Sequence, residues 1–299
     1  MLNKIKELSQ RSGVTYALKR AAAYLKQGIG TSKREAYEVN NGKSGLIHSH
    51  STANRYLGII KEFVSCAKNC NVNRLDKVSP DLIDKFFTDK IKKGYTQKTL
   101  KINLCAMEKF FAAVGRDDLK NYLGEKFSHY YSQASPCGRT MPFDDPVKVI
   151  SNIKNVTHKA VATIQHNCGA RIGDVKKITI DAKGQRLIIK GSKGGRDRSL
   201  DFSDRPAKLA ILIQSKSLLD KGVQEYGWDH IRRSYYPSLK AAVKAANDLY
   251  TGAHAFRACY ANERFEQLTD QGMEHDAALK LLTEELGHSR LSMARYYLL

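Results

Sequence analysis

The chain has 299 residues, of which 42% are hydrophobic and 27% are charged. A chain of this length can bury a large core, and its composition excludes collagen-like, low-complexity and wholly disordered proteins. No uncharged apolar run approaches the roughly 18 residues that a membrane helix needs. The basic, amphipathic N-terminus lacks the apolar region of a signal peptide. We therefore expect a soluble, cytoplasmic protein without a membrane partner, built as one large domain or two smaller ones.

Positive charge is spread over the whole chain. Fifty lysines and arginines oppose thirty aspartates and glutamates, which gives a net charge of +20. The surplus is +13 in residues 1–140 and +7 in residues 141–299. Such a field favours polyanions, because phosphates neutralised by basic side chains release their counterions. Charge alone leaves DNA, RNA and an anionic membrane surface open as partners.

Helical periodicity dominates the first 120 residues. The pattern predicts one helix from Ser51, a second from Ser79-Pro80, where serine suits the cap and proline the first turn, and a third from Thr96. The positions predicted to face the core are Tyr56, Leu57, Ile60, Phe63, Val64, Ala67, Leu82, Ile83, Phe86, Phe87, Leu100, Leu104, Met107, Phe111 and Val114. The first part of the chain is therefore predicted to be an all-helical bundle.

Residues 128–146 interrupt this pattern, because they carry three prolines and no periodicity. Beyond them we predict two helices, three short strands in an antiparallel sheet, and further helices to the end of the chain. The two helices are expected at about 145–153 and 157–168, and the strands at 178–180, 187–190 and 198–202. The expected fold class is mainly α with a small antiparallel β-sheet (α+β). The expected plan is a basic N-terminal helical extension at 1–45, a helical domain at 46–127, a linker at 128–141 and a second domain at 142–299.

Four groups of polar residues in the second half could carry chemistry. They are Arg171 with Asp174 three residues later, Lys193 between two predicted strands, His254 and Arg257 in His-x-x-Arg, and His288 in Leu-Gly-His with Tyr297 nine residues beyond it. Taken singly, each has an ordinary structural explanation, such as a surface ion pair or a solvated hairpin tip. Their joint occurrence in this order is what points to a function.

The order Arg, Lys, His-x-x-Arg, Leu-Gly-His, Tyr resembles the tyrosine recombinase (phage integrase) family. Residue 170 is alanine, where the family usually has leucine before the arginine. The resemblance implies a catalytic domain at 142–299, preceded by a helical SAM-like core-binding domain at 46–127. It also implies a site-specific recombinase or integrase of a mobile element or phage, which cleaves and rejoins DNA through a 3′-phosphotyrosyl intermediate. The implied partners are double-stranded recombination sites, a homo-tetramer on two such sites (a monomer or weak oligomer when free), and accessory DNA-bending or directionality factors.

The chemistry of phosphodiester transfer accounts for these residue types independently of the family resemblance. Negative charge develops on the non-bridging oxygens, and the guanidiniums of Arg171 and Arg257 can clamp them. His254 lies one turn from Arg257, so both can face one phosphate. Tyr297 would be the nucleophile: a free tyrosine is only about 0.1% ionised at pH 7, a cost of about 4 kcal/mol that arginines and a histidine base can reduce.

The remaining site residues have supporting roles. Lys193 can give a proton to the leaving 5′-oxygen, and Asp174 can orient Arg171. Lys190 also precedes a glycine, but the hairpin motif of the family that the chain resembles, Lys-Gly-x-x-x-Arg, is matched more fully by Lys193 through Arg198. The family's spacing from Leu-Gly-His implies Tyr297 as the nucleophile, with the adjacent Tyr296 as the alternative. His288 is the last member of the expected catalytic set.

Residues nine apart lie on opposite faces of one straight helix. We therefore expect His288 and Tyr297 to belong to separate helices, with Ser289 or Ser292 as the cap between them. No phosphate loop, paired-carboxylate cluster or HExxH motif is present, so we expect no cofactor and no metal.

Around the Thr96 helix start we expect phosphate contacts from basic side chains and weaker base contacts from polar ones. The candidate DNA-binding residues are Lys92, Lys93, Lys98, Thr99, Lys101 and Asn103. Residues 1–45 could bind separate arm-type DNA sites or form an extra helix or oligomer contact. Two other classes of function remain open: a type IB topoisomerase, which uses a similar residue set on one duplex, and a non-catalytic DNA-binding regulator.

Overall fold

The computed structural model describes residues 12–39, 44–192, 195 and 197–298. The chain divides into two compact units, Met1–Gly138 and Arg139–Leu299, each with its own hydrophobic core. The predicted fold class, mainly helical with one small antiparallel sheet, is confirmed. Within the described part of the chain, no helix is both long and apolar enough to span a membrane.

The first unit is helical wherever it has regular structure, apart from short 3₁₀ turns. Its helices are α1 (Val14–Leu25), α2 (Lys33–Val39), α3 (His50–Asn69), α4 (Pro80–Lys92), α5 (Gln97–Val114) and α6 (Asp117–Gln133). All apolar positions predicted for the core in α4 and α5 are buried, and in α3 Tyr56 alone among the predicted positions is only half-buried. Thr96 caps α5 by accepting a hydrogen bond from the Thr99 amide at 3.4 Å. Ser79 occupies the cap position of α4, but its side chain makes no cap hydrogen bond.

Two predicted boundaries differ from the structure. Helix α1 lies inside the expected extension 1–45, yet its apolar face belongs to the core of the first unit, where Ala17 and Ala21 are fully buried. Helix α6 continues to Gln133, six residues into the expected linker 128–141. The buried Tyr130 and its neighbour Tyr122 hold α6 against α4, because both hydroxyls donate to the carboxylate of Asp84.

The second unit surrounds a three-stranded sheet with helices. Its elements are α7 (Pro146–Ser151), α8 (Val156–Cys168), β1 (Ile178–Asp181), β2 (Arg186–Ile189), β3 (Arg198–Asp201), α9 (Pro206–Tyr226), α10 (Trp228–Ala246), α11 (Ala255–Asp270), α12 (His275–Glu285) and α13 (Leu291–Arg295). The strands pair antiparallel in the order β1-β2-β3, with Ile189 opposite both Ile178 and Arg198. The antiparallel sheet predicted from the sequence is therefore confirmed.

Gly169 ends α8 and fixes the course of the chain toward Arg171. Its φ of +58° is in the left-handed region that glycine adopts most readily. A Cβ at this position would lie 2.6 Å from the ring of Tyr260 on α11. The glycine thus lets α8 and α11 approach closely, so that the turn after α8, which holds Arg171, lies near Arg257 on α11.

Candidate active site

A hydrogen bond of 2.6 Å joins the Tyr297 hydroxyl to Nε2 of His254. His254 lies at the N-terminal end of α11, and Tyr297 lies two residues beyond the end of α13. Asn262, also on α11, donates from its side chain to the Tyr297 carbonyl at 2.9 Å. The phenol is 5% exposed, so both ends of the residue are held against α11.

Arg257 lies beneath this pair and is completely buried. One end of its guanidinium donates to the Gly169 carbonyl, and the other donates to the Leu286 carbonyl and, at 3.0 Å, to Nε2 of His288. The guanidinium carbon is 5.8 Å from the centroid of the Tyr297 ring. Burial, followed by the charges of Arg171 and Arg198, lowers the pKa of Arg257 to about 9, which keeps it cationic at neutral pH.

His288 follows α12, and its ring centroid is 5.9 Å from that of Tyr297. Because Arg257 has only donors, Nε2 of His288 must accept their hydrogen bond and cannot carry a proton. Burial and the charges of Arg257, Arg171 and Arg198 lower the pKa of His288 to about 3. His288 is therefore a neutral acceptor that orients Arg257.

Arg171 lies in the turn between α8 and β1 and is partly exposed, with 20% of its side-chain surface accessible. Its guanidinium is 3.6 Å from the carboxylate of Asp174 and 3.4 Å from the hydroxyl of Ser192. Ser192 itself donates to Asp174 at 2.8 Å. The buried Asp174 thus links Arg171 to the start of the β2–β3 connection.

Lys193, the expected proton donor, lies outside the described residues. The described residues around it are anchored: the Gly191 amide donates to Asp197 at 2.7 Å, and Lys177 donates to the Gly191 carbonyl. The alternative Lys190 is exposed. We retain Lys193 as a prediction from the motif.

The hydroxyls of the two adjacent tyrosines have different hydrogen-bond partners. The Tyr296 hydroxyl accepts a hydrogen bond from the Thr140 amide at 3.3 Å, whereas the Tyr297 hydroxyl is bonded to His254. The expected serine cap is wrong: α13 begins at Leu291, and the cap position is held by Arg290, whose side chain makes no cap hydrogen bond. His288 and Tyr297 are indeed not on one helix, but each lies outside a helix rather than within one.

The candidate DNA-binding residues of the first unit fall into two groups. Lys92, Lys93, Lys98 and Lys101 are exposed, and Thr99 is half-buried. Asn103 is 2% exposed, and its amide nitrogen donates to the Thr99 carbonyl at 2.8 Å. The expectation that Asn103 contacts bases is therefore corrected, because its side chain is buried in the core of the first unit.

Sequence reasoning missed several residues that shape the site. Ser192 and Asn262 were not identified, and Arg198 was noted only as the end of the hairpin motif. The buried Glu285, whose carboxylate accepts hydrogen bonds from Arg264, Arg205 and Tyr260, was also not identified. The available signal was a polar residue inside a predicted helix or strand, as with Arg198 and Asn262, but their contacts join distant parts of the chain.

The site as a whole concentrates positive charge. Arg257, Arg171 and Arg198 all lie close enough to His288 to lower its pKa, and Asp174 pairs with two of these arginines, Arg171 and Arg198. Buried cations of this density favour an anionic ligand. Among the described residues, no group of three or more histidine, cysteine or acidic side chains is arranged to hold a metal ion.

Comparison with known proteins gives one family match and two similar solved structures. The family model for the phage integrase N-terminal SAM-like domain matches residues 46–117. The Tn1549 transposon integrase, solved in complex with circular intermediate DNA, is 15% identical, with a TM-score of 0.56 over 96% of this chain and 95% of that one. The crystal structure of XerA recombinase is 15% identical, with a TM-score of 0.40 over 94% of this chain and 93% of that one. No curated protein sequence matches the chain significantly.

Residues 46–117 thus form an integrase SAM-like domain, and the chain shares its fold with a transposon integrase.

Proposed function

We propose that this protein is a site-specific DNA recombinase or integrase that cleaves and rejoins DNA through a 3′-phosphotyrosyl intermediate. The single observation that carries the proposal is the 2.6 Å hydrogen bond between Tyr297 and His254 above the buried Arg257. Double-stranded DNA as substrate is supported by the net charge of +20 and by the DNA bound to the Tn1549 integrase.

In the proposed reaction, one DNA phosphodiester lies between Tyr297 and the arginines. The side chains of Arg171 and Arg257 donate to its non-bridging oxygens, where negative charge grows in the transition state. Unprotonated Nε2 of His254 accepts the hydroxyl proton while the Tyr297 oxygen bonds to phosphorus. The bond to the 5′-oxygen breaks, and that oxygen takes a proton, which we assign to Lys193.

Rejoining is the reverse reaction with a different 5′-hydroxyl. That hydroxyl gives its proton back to Lys193 as its oxygen bonds to phosphorus, and the bond from phosphorus to the Tyr297 oxygen breaks. His254 returns the proton that it took, so Tyr297 leaves as the phenol. The energy of the broken phosphodiester is retained in the phosphotyrosyl bond, so the scheme needs neither ATP nor a metal ion. Exchange between two DNA sites by a tetramer, and accessory DNA-bending or directionality factors, extend the proposal on the family resemblance.

The first prediction tests the nucleophile. We expect Tyr297→Phe to abolish the covalent protein–DNA adduct, because phenylalanine has no oxygen to form it, while DNA affinity stays within about threefold. Tyr296→Phe is the matched control and should still form the adduct. The measurement is a denaturing gel of each protein with a nicked duplex that carries the DNA flanking its own coding sequence.

Loss of the adduct in the Tyr296 variant alone would identify Tyr296, and not Tyr297, as the nucleophile. An adduct that survives both substitutions would contradict phosphotyrosyl chemistry.

A further inference from the structure

Arg198, the first residue of β3, contacts two parts of the candidate site that lie far apart in the sequence. Its Nη1 donates to the Glu285 carbonyl at 2.6 Å, at the end of α12 and shortly before His288. Its Nη2 is 3.8 Å from the carboxylate of Asp174, which holds Arg171. Only 3% of the Arg198 side chain is exposed. This one buried side chain therefore bridges the turn of Arg171 and the segment that leads to His288.

The aliphatic stem of Arg198 makes a third contact, with Gly287. A Cβ built on Gly287 would lie 3.0 Å from Cδ of Arg198, which is closer than an ordinary van der Waals contact. The φ of Gly287 is +64°, in the left-handed region. The glycine of Leu-Gly-His is thus favoured for two reasons: its φ is in the left-handed region, and a Cβ would crowd the side chain of Arg198.

Packing alone does not explain an arginine at this position. Nε and Nη2 of Arg198 make no hydrogen bond with any residue that the structure describes. Burial also lowers the pKa of its guanidinium. An apolar side chain would avoid both costs, because buried unpaired N–H groups and buried charges are unfavourable. The guanidinium is therefore better explained by what it does for its neighbours.

We propose that Arg198 is a positioning residue that holds the Asp174–Arg171 turn and the Gly287–His288 turn at one fixed separation. That separation lets Arg171, Arg257 and the His288 that orients Arg257 act on a single phosphoryl group. The inference deepens the proposed function and rests on it in taking a DNA phosphodiester as the bound group. A displacement of about 1 Å of such groups can slow catalysis about 100-fold.

The test compares Arg198→Met and Arg198→Lys with Arg205→Met in the full-length protein. Methionine keeps much of the volume and removes both polar contacts, whereas lysine keeps a charge and one contact. Arg205 is the matched control, because it is also buried and also contacts Glu285, but it donates to the Glu285 side chain and to Tyr260. Thermal unfolding of each variant reports whether the fold survives.

Cleavage is measured in a single turnover on two duplexes, one with the normal scissile phosphate and one with a neutral methylphosphonate. We expect Arg198→Met to slow the normal substrate about 100-fold and the neutral substrate less than about tenfold, since the neutral group demands less from the arginines. The cleavage rate of Arg198→Lys on the normal substrate should lie between the rates of Arg198→Met and the unmodified protein. Arg205→Met should slow both substrates by one common factor. A common factor for Arg198→Met as well, or no effect on either substrate, overturns the inference.

A second readout needs no DNA cleavage. Inorganic phosphate is titrated into histidine-labelled full-length protein while the NMR signal of His288 is followed. We expect a saturable shift whose phosphate affinity falls at least about tenfold in Arg198→Met. An unchanged affinity, or no shift in the unmodified protein, overturns the inference. If the phosphate result holds but the unmodified protein forms no DNA adduct, the proposed function fails and the role of Arg198 stands.

Discussion

His288 is held in the neutral state by its surroundings. Burial and three nearby arginines lower its pKa to about 3, and Arg257 donates to its Nε2. A neutral imidazole adds no further positive charge beside Arg257 and fixes the direction of that guanidinium. We infer that His288 contributes to the site by orienting Arg257, whereas His254 is the histidine bonded to the nucleophile.

The protonation of His288 gives a prediction for stability against pH. Unfolded histidine has a pKa of about 6.5. Between that value and the folded-state pKa of about 3, the unfolded chain binds a proton that the folded protein does not. The free energy of unfolding contributed by this group is therefore fully present above pH 6.5 and is lost progressively as the pH falls toward 3. We expect His288→Gln, whose amide oxygen can still accept from Arg257, to lose less stability between about pH 7 and about pH 5.

The measurement is urea unfolding of both proteins at the two pH values. His158, whose pKa burial also lowers, is present in both proteins and cancels in the comparison. Equal losses in the two proteins would contradict the assignment of a strongly lowered pKa to His288.

Residue types and spacing indicated the principal members of the site, because a motif preserves the order in which they occur. His254 and Arg257 share one turn of helix, and the choice of Tyr297 over Tyr296 agrees with its contact to His254. The role of Arg198 could not be predicted in the same way. Its partners Asp174 and Glu285 are brought to it only by the folded second unit.

The β2–β3 hairpin is the element that connects Asp174 to the expected proton donor. Ser192 bonds to Asp174 at one end of the connection, and Arg198 approaches the same carboxylate from the other end. The Gly191 amide donates to Asp197 across the connection. Lys190 is exposed, whereas Lys193, which follows Ser192 in the sequence, lies outside the described residues.

We expect Lys193→Ala to slow cleavage about 100-fold or more, and Lys190→Ala less than about tenfold, since general-acid catalysis typically contributes at least the former factor. A 5′-bridging phosphorothiolate, whose sulfur leaves without a proton, should restore the rate of the Lys193 variant. Single-turnover cleavage of both substrates by both variants measures this. Without such a rescue, Lys193 would not be the acid.

Helices were predicted best where large apolar residues repeat, as in α4 and α5. Asn103 was misjudged because it is polar, although it lies three residues after Leu100 and four before Met107, on the buried face. The end of α6 was missed because Tyr130 is held by Asp84, a contact between distant positions. Helix α1 gave a weak signal, since small alanines fill much of its buried face.

At the scale of the whole molecule, each of the two units has its own core, and both halves of the chain have a surplus of positive charge. The surplus is +13 over residues 1–140 and +7 over residues 141–299. On the proposed function, both units therefore contribute phosphate contacts, and the affinity for DNA should fall steeply with salt. The candidate active site lies in the second unit, so contacts from the first unit should affect binding more than the rate of the chemical step.

The exposed lysines near the start of α5 allow a test of whether the first unit contributes to DNA binding but not to the chemical step. Each phosphate contact adds about 0.9 to the slope of log affinity against log salt concentration, so we expect Lys98→Gln/Lys101→Gln to lower the slope by about 2. Lys68→Gln/Lys120→Gln is the matched control, because these lysines are also exposed in the first unit but lie on α3 and α6. The control should leave the slope unchanged.

Affinity for one cognate duplex is measured over a series of salt concentrations, and adduct formation is measured at saturating protein. Equal slopes for the two double variants would show that Lys98 and Lys101 are merely solvated. A loss of adduct at saturation would mean that the first unit also acts on the chemical step.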